Sequence, residues 1–312
     1  MRFVRGLLLL LLLAVLAVFV TCRSKDPEKR TLDAFARREA PGRFVHLADG
    51  VTHYEIAGPD TGHVVLLAAP FSVPGYIWDP VFGMLADSGF RVVRLDWYGR
   101  GWSDRLDTTY DQALFVRQMT GLLDSLGVQV PVAIAGVSYG AAMVTSFADT
   151  HPERTGALVY LDPVLNNRRP LPPRERSALR WSTWMVLQGG AEQMAASQAE
   201  DLLHPERHPD WVARYRVQQQ FKGTRESWRR TRASIAVEPD QMEQLRRVGS
   251  SARPVLVLWS RQDPYMAFDE SRAFMAALPH GRLVPVDDAG HLPQVEQPEV
   301  VTGEMVKLLR SE

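Results

Sequence analysis

The chain has 312 residues, 46% of them hydrophobic and 23% charged, with 36 Lys plus Arg against 36 Asp plus Glu. That balance fits a globular protein and argues against a nucleic-acid binder, which would carry a basic surplus. The single cysteine, Cys22, excludes an intramolecular disulfide.

In chain order, MRFVRG places Arg2 and Arg5 before an unbroken apolar run, Leu7 to Val20, and the polar TCRSKDPEKR follows. A basic start ahead of a short apolar stretch reads as an export signal. A buried helix is the poorer reading, because an all-apolar helix has no polar face to turn to water. The run falls short of the roughly 20 residues that span a bilayer, although Gly6 and Thr21 extend it. Three fates stay open: a lipoprotein acylated at Cys22, an uncleaved membrane anchor, or a cleaved soluble form. Each puts the folded part outside the cytoplasmic membrane, in the cell envelope or beyond. Residues 1–22 are therefore expected to be signal or anchor, and residues 23–42 a charged tether.

From Arg43 the pattern becomes periodic. RFVHLA and VTHYEIAG, joined at Asp49-Gly50, read as a hairpin. HVVLLAA (63–69), RVVRLDWY (91–98), VAIAGV (132–137), GALVYLD (156–162), PVLVLWS (254–260) and RLVPVD (282–287) read as further strands, several apolar enough for burial on both faces. Helical spacing covers 78–88, 110–126, 139–150, 268–278 and 298–309. The alternation implies an α/β fold with a mostly parallel, doubly wound sheet. Residues 165–250 break it. They hold no convincing strand but carry Trp181, Trp184, Met185, Trp211, Tyr215, Phe221 and Trp228 among helix formers. The expected domains are a core of 43–164 and 251–312 and a helical insertion of 165–250 after the sixth strand.

Gly136-Val137-Ser138-Tyr139-Gly140 sits where a strand meets a helix. A G-x-S-x-G match arises by chance on the order of 0.1 times in such a chain, so its setting matters more than the pentapeptide. A sharp strand-to-helix turn lifts the serine above the sheet edge, and the crowded positions two residues either side admit only small side chains. The helix N-terminus then favours developing negative charge nearby.

A serine hydroxyl needs a base, and the base needs an orienting group. Asp263 follows the strand 254–260 and His291 follows the strand 282–287. All three would lie at the carboxyl ends of parallel strands, where ligands bind in such sheets. Asp162, after the strand 156–162, is a rival for the acid. Asp287 and Asp288 read as turn residues, and Asp96 as the organiser of its own loop. The remaining histidines show no such partner. His204 and His208 are four apart, but Pro205 interrupts any helix that would align them, so no metal site and no cofactor is expected.

DWYGRGWSDR (96–105), GHLPQVEQPEVV (290–301) and the nucleophile turn together resemble the α/β-hydrolase superfamily from Arg43 to the C-terminus. The similarity is to lipase-like and esterase-like members with a helical cap. It implies Ser138 as nucleophile, His291 as general acid–base and Asp263 as its orienting partner. It also implies a carboxylic ester as substrate. One segment departs from the pattern: Ala68-Ala69-Pro70 stands where the family has His-Gly. Pro70 has no N–H to donate, which leaves the backbone amides of Phe71 and Tyr139 as the oxyanion donors.

The expected function is a serine hydrolase acting on an ester with an apolar acyl or alcohol group. The departure at 68–70 motivates an alternative, a binding protein of the cell envelope that kept the fold and lost efficient catalysis. The expected partners are a small-molecule ester and, through the N-terminal segment, a membrane, with the chain acting as a monomer.

Overall fold

The protein is described by a computed structural model covering residues 2–24, 26–165, 171–238 and 240–311; the side chains of Cys22, Trp184 and Met185 lie outside the described part. Eight strands form one sheet: β1 (Arg43–His46), β2 (Val51–Ala57), β3 (Val64–Ala68), β4 (Arg91–Leu95), β5 (Val132–Val137), β6 (Thr155–Leu161), β7 (Val255–Ser260) and β8 (Gly281–Val286). Their spatial order is β1-β2-β4-β3-β5-β6-β7-β8. The β1–β2 hairpin and the β2–β4 pair are antiparallel, and every other pair is parallel. Strands β5 and β7 are buried along their whole length, which is why their sequences run apolar without alternation.

Helix α1 (Arg2–Ser24) precedes the sheet. On one face lie α2 (Asp79–Asp87) and, from the C-terminal part, α11 (Pro293–Glu296) and α12 (Pro298–Leu309); on the other lie α3 (Gln112–Ser125) and α4 (Gly140–Thr150). Helix α3 begins two residues later than its spacing suggests. Asp111 caps it, its carboxylate accepting from the Leu114 amide at 2.9 Å. The helix expected over 268–278 is a 3-10 turn, Phe268–Glu270, followed by α10 (Ser271–Ala276).

Between β6 and β7 run α5 (Pro173–Gly189), α6 (Ala191–Ser197), α7 (Trp211–Gln219), α8 (Thr224–Ile235) and α9 (Gln241–Gly249). Helix α9 returns to the sheet layer and packs on α4, where Arg247 pairs with Asp149 at 2.6 Å. Residues 26–30 dock on the turn between α7 and α8. Arg30 exchanges backbone hydrogen bonds of 2.9 Å with Gln220 and Lys222, and the Glu28 carboxylate accepts the Gly223 and Arg225 amides. Among the described residues no helix is long and apolar enough to cross a membrane. Helix α1 nonetheless exposes Leu7 to Leu13 and Leu16, each by more than half.

The chain passes from β3 to β4 on one side and returns to β5 on the other. The loops after β3 and β5 therefore diverge and leave a crevice at their carboxyl ends.

Candidate active site

Ser138 follows the last residue of β5 and takes a left-handed conformation, φ 55°. A side chain there costs strain that only a tightly packed turn maintains. The packing is visible at both glycines. A Cβ on Gly136 would sit 2.6 Å from the Gly140 carbonyl oxygen, and one on Gly140 would meet the carbonyl oxygens of Ala68 and Ala69 at 2.5 and 2.7 Å. The turn is thus pressed against the end of β3, which explains the two glycines the sequence displays.

Three segments distant in sequence meet here. His291 Nε2 lies 2.8 Å from Ser138 Oγ, and His291 Nδ1 lies 2.7 Å from Asp263 Oδ2. An ionised carboxylate only accepts, so the Nδ1 proton donates to Asp263 and leaves Nε2 free to accept from the serine hydroxyl. Asp263 is held in turn: its Oδ1 accepts the amides of Tyr265 at 2.7 Å and Met266 at 3.0 Å. The Asp263 side chain is fully buried and that of His291 nearly so, while Ser138 stays partly open.

Burial works against the imidazolium. The Asp263 hydrogen bond and charge, with Asp162 and Asp201 further out, outweigh it, and the His291 pKa is raised from its ordinary value. Asp162, the rival acid, lies in the same cluster but is turned elsewhere. Its two oxygens accept from the backbone amide and hydroxyl of Ser260, each at 2.7 Å. Burial first, then the neighbouring Asp263 charge, push it up to about 7. Asp162, Asp263 and His291 are also the one group among the described residues spaced to hold a metal ion. Both imidazole nitrogens are already engaged there by Ser138 and Asp263.

The helical segment supports the histidine. The Asp201 carbonyl accepts the His291 amide at 2.8 Å. The Glu296 carboxylate gathers the amides of Leu203, His204 and Gly290 at 3.0, 2.7 and 2.6 Å. Asp201 itself is pushed up to about 6, chiefly by burial. No spacing rule links 201 to 291, so the sequence carried no signal for these contacts.

The two candidate oxyanion residues are adjacent, with the Phe71 and Tyr139 rings 5.9 Å apart. Neither backbone amide has an acceptor among the described residues. Trp228 of α8 covers Phe71 at 5.6 Å between ring centres. Two histidines that looked unpartnered in the sequence have partners. Buried His53 meets Asp96 at 2.8 Å, and His204 meets Asp288 at 2.6 Å. Asp96 does organise its own loop through the Trp102 amide, and it also accepts the Gly75 amide of the segment after β3. A separate cleft between α5 and α8, lined by Thr108, Arg176, Ser177 and Arg230 among others, includes none of Ser138, Asp263 or His291.

A serine, a histidine and an aspartate in hydrogen-bonded sequence at the carboxyl edge of this sheet mark a hydrolase site. The chain belongs to the Alpha/beta hydrolase family, whose profile matches residues 64–304. It is 26% identical over 287 residues to a 2-hydroxy-6-oxononadienedioate/2-hydroxy-6-oxononatrienedioate hydrolase of Cupriavidus pinatubonensis, covering 86% of this chain and 94% of that protein. Among solved structures it is similar to a thermophilic esterase from Thermogutta terrifontis, with a TM-score of 0.74 and 26% identity over 87% of this chain and 99% of the other. The enol-lactonase of Burkholderia xenovorans shares the fold, with a TM-score of 0.73 at 20% identity over 86% and 100% of the two chains.

Proposed function

We propose that the protein is a serine hydrolase that cleaves a carboxylic ester through an acyl-enzyme on Ser138. His291 takes the hydroxyl proton as Ser138 attacks the carbonyl and returns it to the leaving alcohol. It then activates the water that releases the acid. Asp263 orients the imidazole and stabilises its charged form. The amides of Phe71 and Tyr139 receive the oxyanion. The observation that carries this reading is the continuous chain from Ser138 Oγ through His291 to Asp263, with bonds of 2.8 and 2.7 Å. The esterase among the similar structures supports the ester, and the Phe71, Tyr139 and Trp228 rings beside the site support an apolar group on it.

A second reading keeps the machinery and changes the bond. The dienedioate hydrolase relatives favour an oxo acid as substrate over a simple ester. The same serine attack on a carbonyl serves both. The helical segment between β6 and β7 is then the cap that shapes the choice.

A p-nitrophenyl ester series of increasing chain length, together with labelling by a fluorophosphonate, tests the proposal. Wild type should be labelled and turn over. Ser138→Ala should be unlabelled and lose about a millionfold in kcat. A folded wild type that is neither labelled nor active on any ester would overturn it and favour the non-catalytic binding protein. The basic start and the apolar run Leu7–Val20, with Leu7 to Leu13 and Leu16 exposed, support export, with the folded part held in the cell envelope by this segment. The intact mass of membrane-extracted protein distinguishes a lipid on Cys22 from a retained helix and from cleavage.

A further inference from the structure

The loop after β3 departs from the usual pattern, and the structure shows what holds it instead. The Phe71 amide lies between two carbonyls, those of Ala69 and Phe71. Trp97 Nε1 donates to the Ala69 oxygen at 2.8 Å, and Arg100 Nε donates to the Phe71 oxygen. Both side chains come from the loop after β4. The ring of Pro70 fixes one of the few torsions between these two anchors, so the direction of the Phe71 N–H follows from them.

Arg100 is an unusual choice for a simple fastener. It is only 1% exposed, yet among the described residues no carboxylate bonds it. Its other hydrogen bonds go to neutral oxygens, Thr231 Oγ1 of α8 at 2.9 Å and the Tyr98 carbonyl at 3.4 Å. Burial pushes its pKa down to about 10, which leaves it charged at neutral pH. A buried guanidinium without a counter-charge carries a desolvation penalty that a neutral donor would avoid. The fixed charge has a use where negative charge develops during the reaction. Fixed dipoles and charges aimed at an oxyanion are worth most in a water-excluded site.

We propose that Arg100, assisted by Trp97, is a positioning residue. It fixes the Phe71 peptide so that its amide faces the oxyanion, and it supplies a positive charge to that side of the site. The inference rests on the ester-hydrolase reading above. It makes the loop after β4 the support for the segment that replaces His-Gly, and Arg100 separately joins that loop to Thr231 of α8.

The test compares Arg100→Met, Arg100→Lys and Trp97→Phe with Thr231→Val, which removes the hydroxyl that accepts from Arg100 and donates to the Ser227 carbonyl within α8. Two readouts are taken: kcat and KM on the best p-nitrophenyl ester, and hydrogen exchange across residues 69–73. Arg100→Met should lower kcat about 100-fold, the effect of losing one oxyanion donor, with KM within about threefold of wild type. Arg100→Lys should recover part of the loss, and Thr231→Val should keep kcat. Exchange across 69–73 should rise in Arg100→Met whether or not an ester is turned over. Unchanged exchange overturns the anchoring. Raised exchange with unchanged kcat overturns the positioning role, as does an equal kcat loss in Thr231→Val, which would make Arg100 a fastener of the helical segment. An inactive wild type with raised exchange in Arg100→Met would count against the ester reading and leave the anchoring intact.

Discussion

Asp263→Asn should cost about four orders of magnitude in kcat while leaving the fold intact, and the structure says why the loss is so large. An asparagine at 263 has one oxygen and one nitrogen to place. The position of Oδ1 is set by two donors, the amides of Tyr265 at 2.7 Å and Met266 at 3.0 Å. The amide oxygen must stay there, so the NH2 group is forced toward His291 Nδ1, where the carboxylate Oδ2 now accepts at 2.7 Å. Facing a donor, Nδ1 becomes an acceptor and the ring proton moves to Nε2. The nitrogen that lies 2.8 Å from Ser138 Oγ would then hold a proton and could take none. An aspartate-to-asparagine change that imposes the wrong tautomer in a Ser-His-Asp site lowers kcat about 10⁴-fold. At about 1.36 kcal/mol per decade that is roughly 5.4 kcal/mol of transition-state stabilisation. The assay is steady-state hydrolysis of a p-nitrophenyl ester over pH, with active sites counted by burst titration. The variant also loses the hydrogen bond and charge that raise the His291 pKa against burial. The wild-type acid limb should therefore lie above the ordinary histidine value, about 6.5, and move to lower pH in the variant. Activity within tenfold of wild type, with an unmoved acid limb, would refute the assignment of Asp263.

Asp162→Asn provides the complementary test. Burial and the neighbouring Asp263 charge push the Asp162 pKa up to about 7 in the folded protein, whereas in the unfolded chain it returns to the ordinary aspartate value of 3.8. A raised carboxyl pKa means the folded state binds the extra proton, so wild-type stability falls as pH rises between those values. The asparagine variant should gain Tm relative to wild type at about pH 7.5 but not at about pH 4, and should keep turnover; an equal Tm difference at both pH values, or lost turnover, counts against this account. Gly140→Ala puts a methyl group 2.5 Å from the Ala68 carbonyl oxygen. It should destabilise the fold by about 1–3 kcal/mol, read by chemical denaturation, and slow turnover by displacing the oxyanion loop. Unchanged stability and rate would show that the elbow has slack the structure does not suggest.

Much of this protein was legible in its sequence because the relevant information is local. Runs such as VAIAGV and PVLVLWS announce buried parallel strands, since a strand covered on both faces has no polar side to alternate. Gly136 and Gly140 announce the tight turn around Ser138, because a Cβ at either position would collide with backbone. The chain order of Ser138, Asp263 and His291, each just past a strand, follows from the same periodicity.

What tertiary structure decided is whatever depends on which oxygen points where. Asp162 and Asp263 both end near His291, and spacing alone leaves either as its partner. Ser260 occupies the oxygens of Asp162, and that choice belongs to two adjacent strands. The pairing of His53 with Asp96, the support of His291 by Asp201 and Glu296, and the seating of residues 26–30 on the α7–α8 turn join segments far apart in the chain. No periodicity encodes such contacts, because hydrogen-bond partners are selected by three-dimensional packing. Arg100 is the sharpest case. In the sequence it is one charge in a loop, and only burial without a carboxylate partner, against the Phe71 carbonyl, gives it a role.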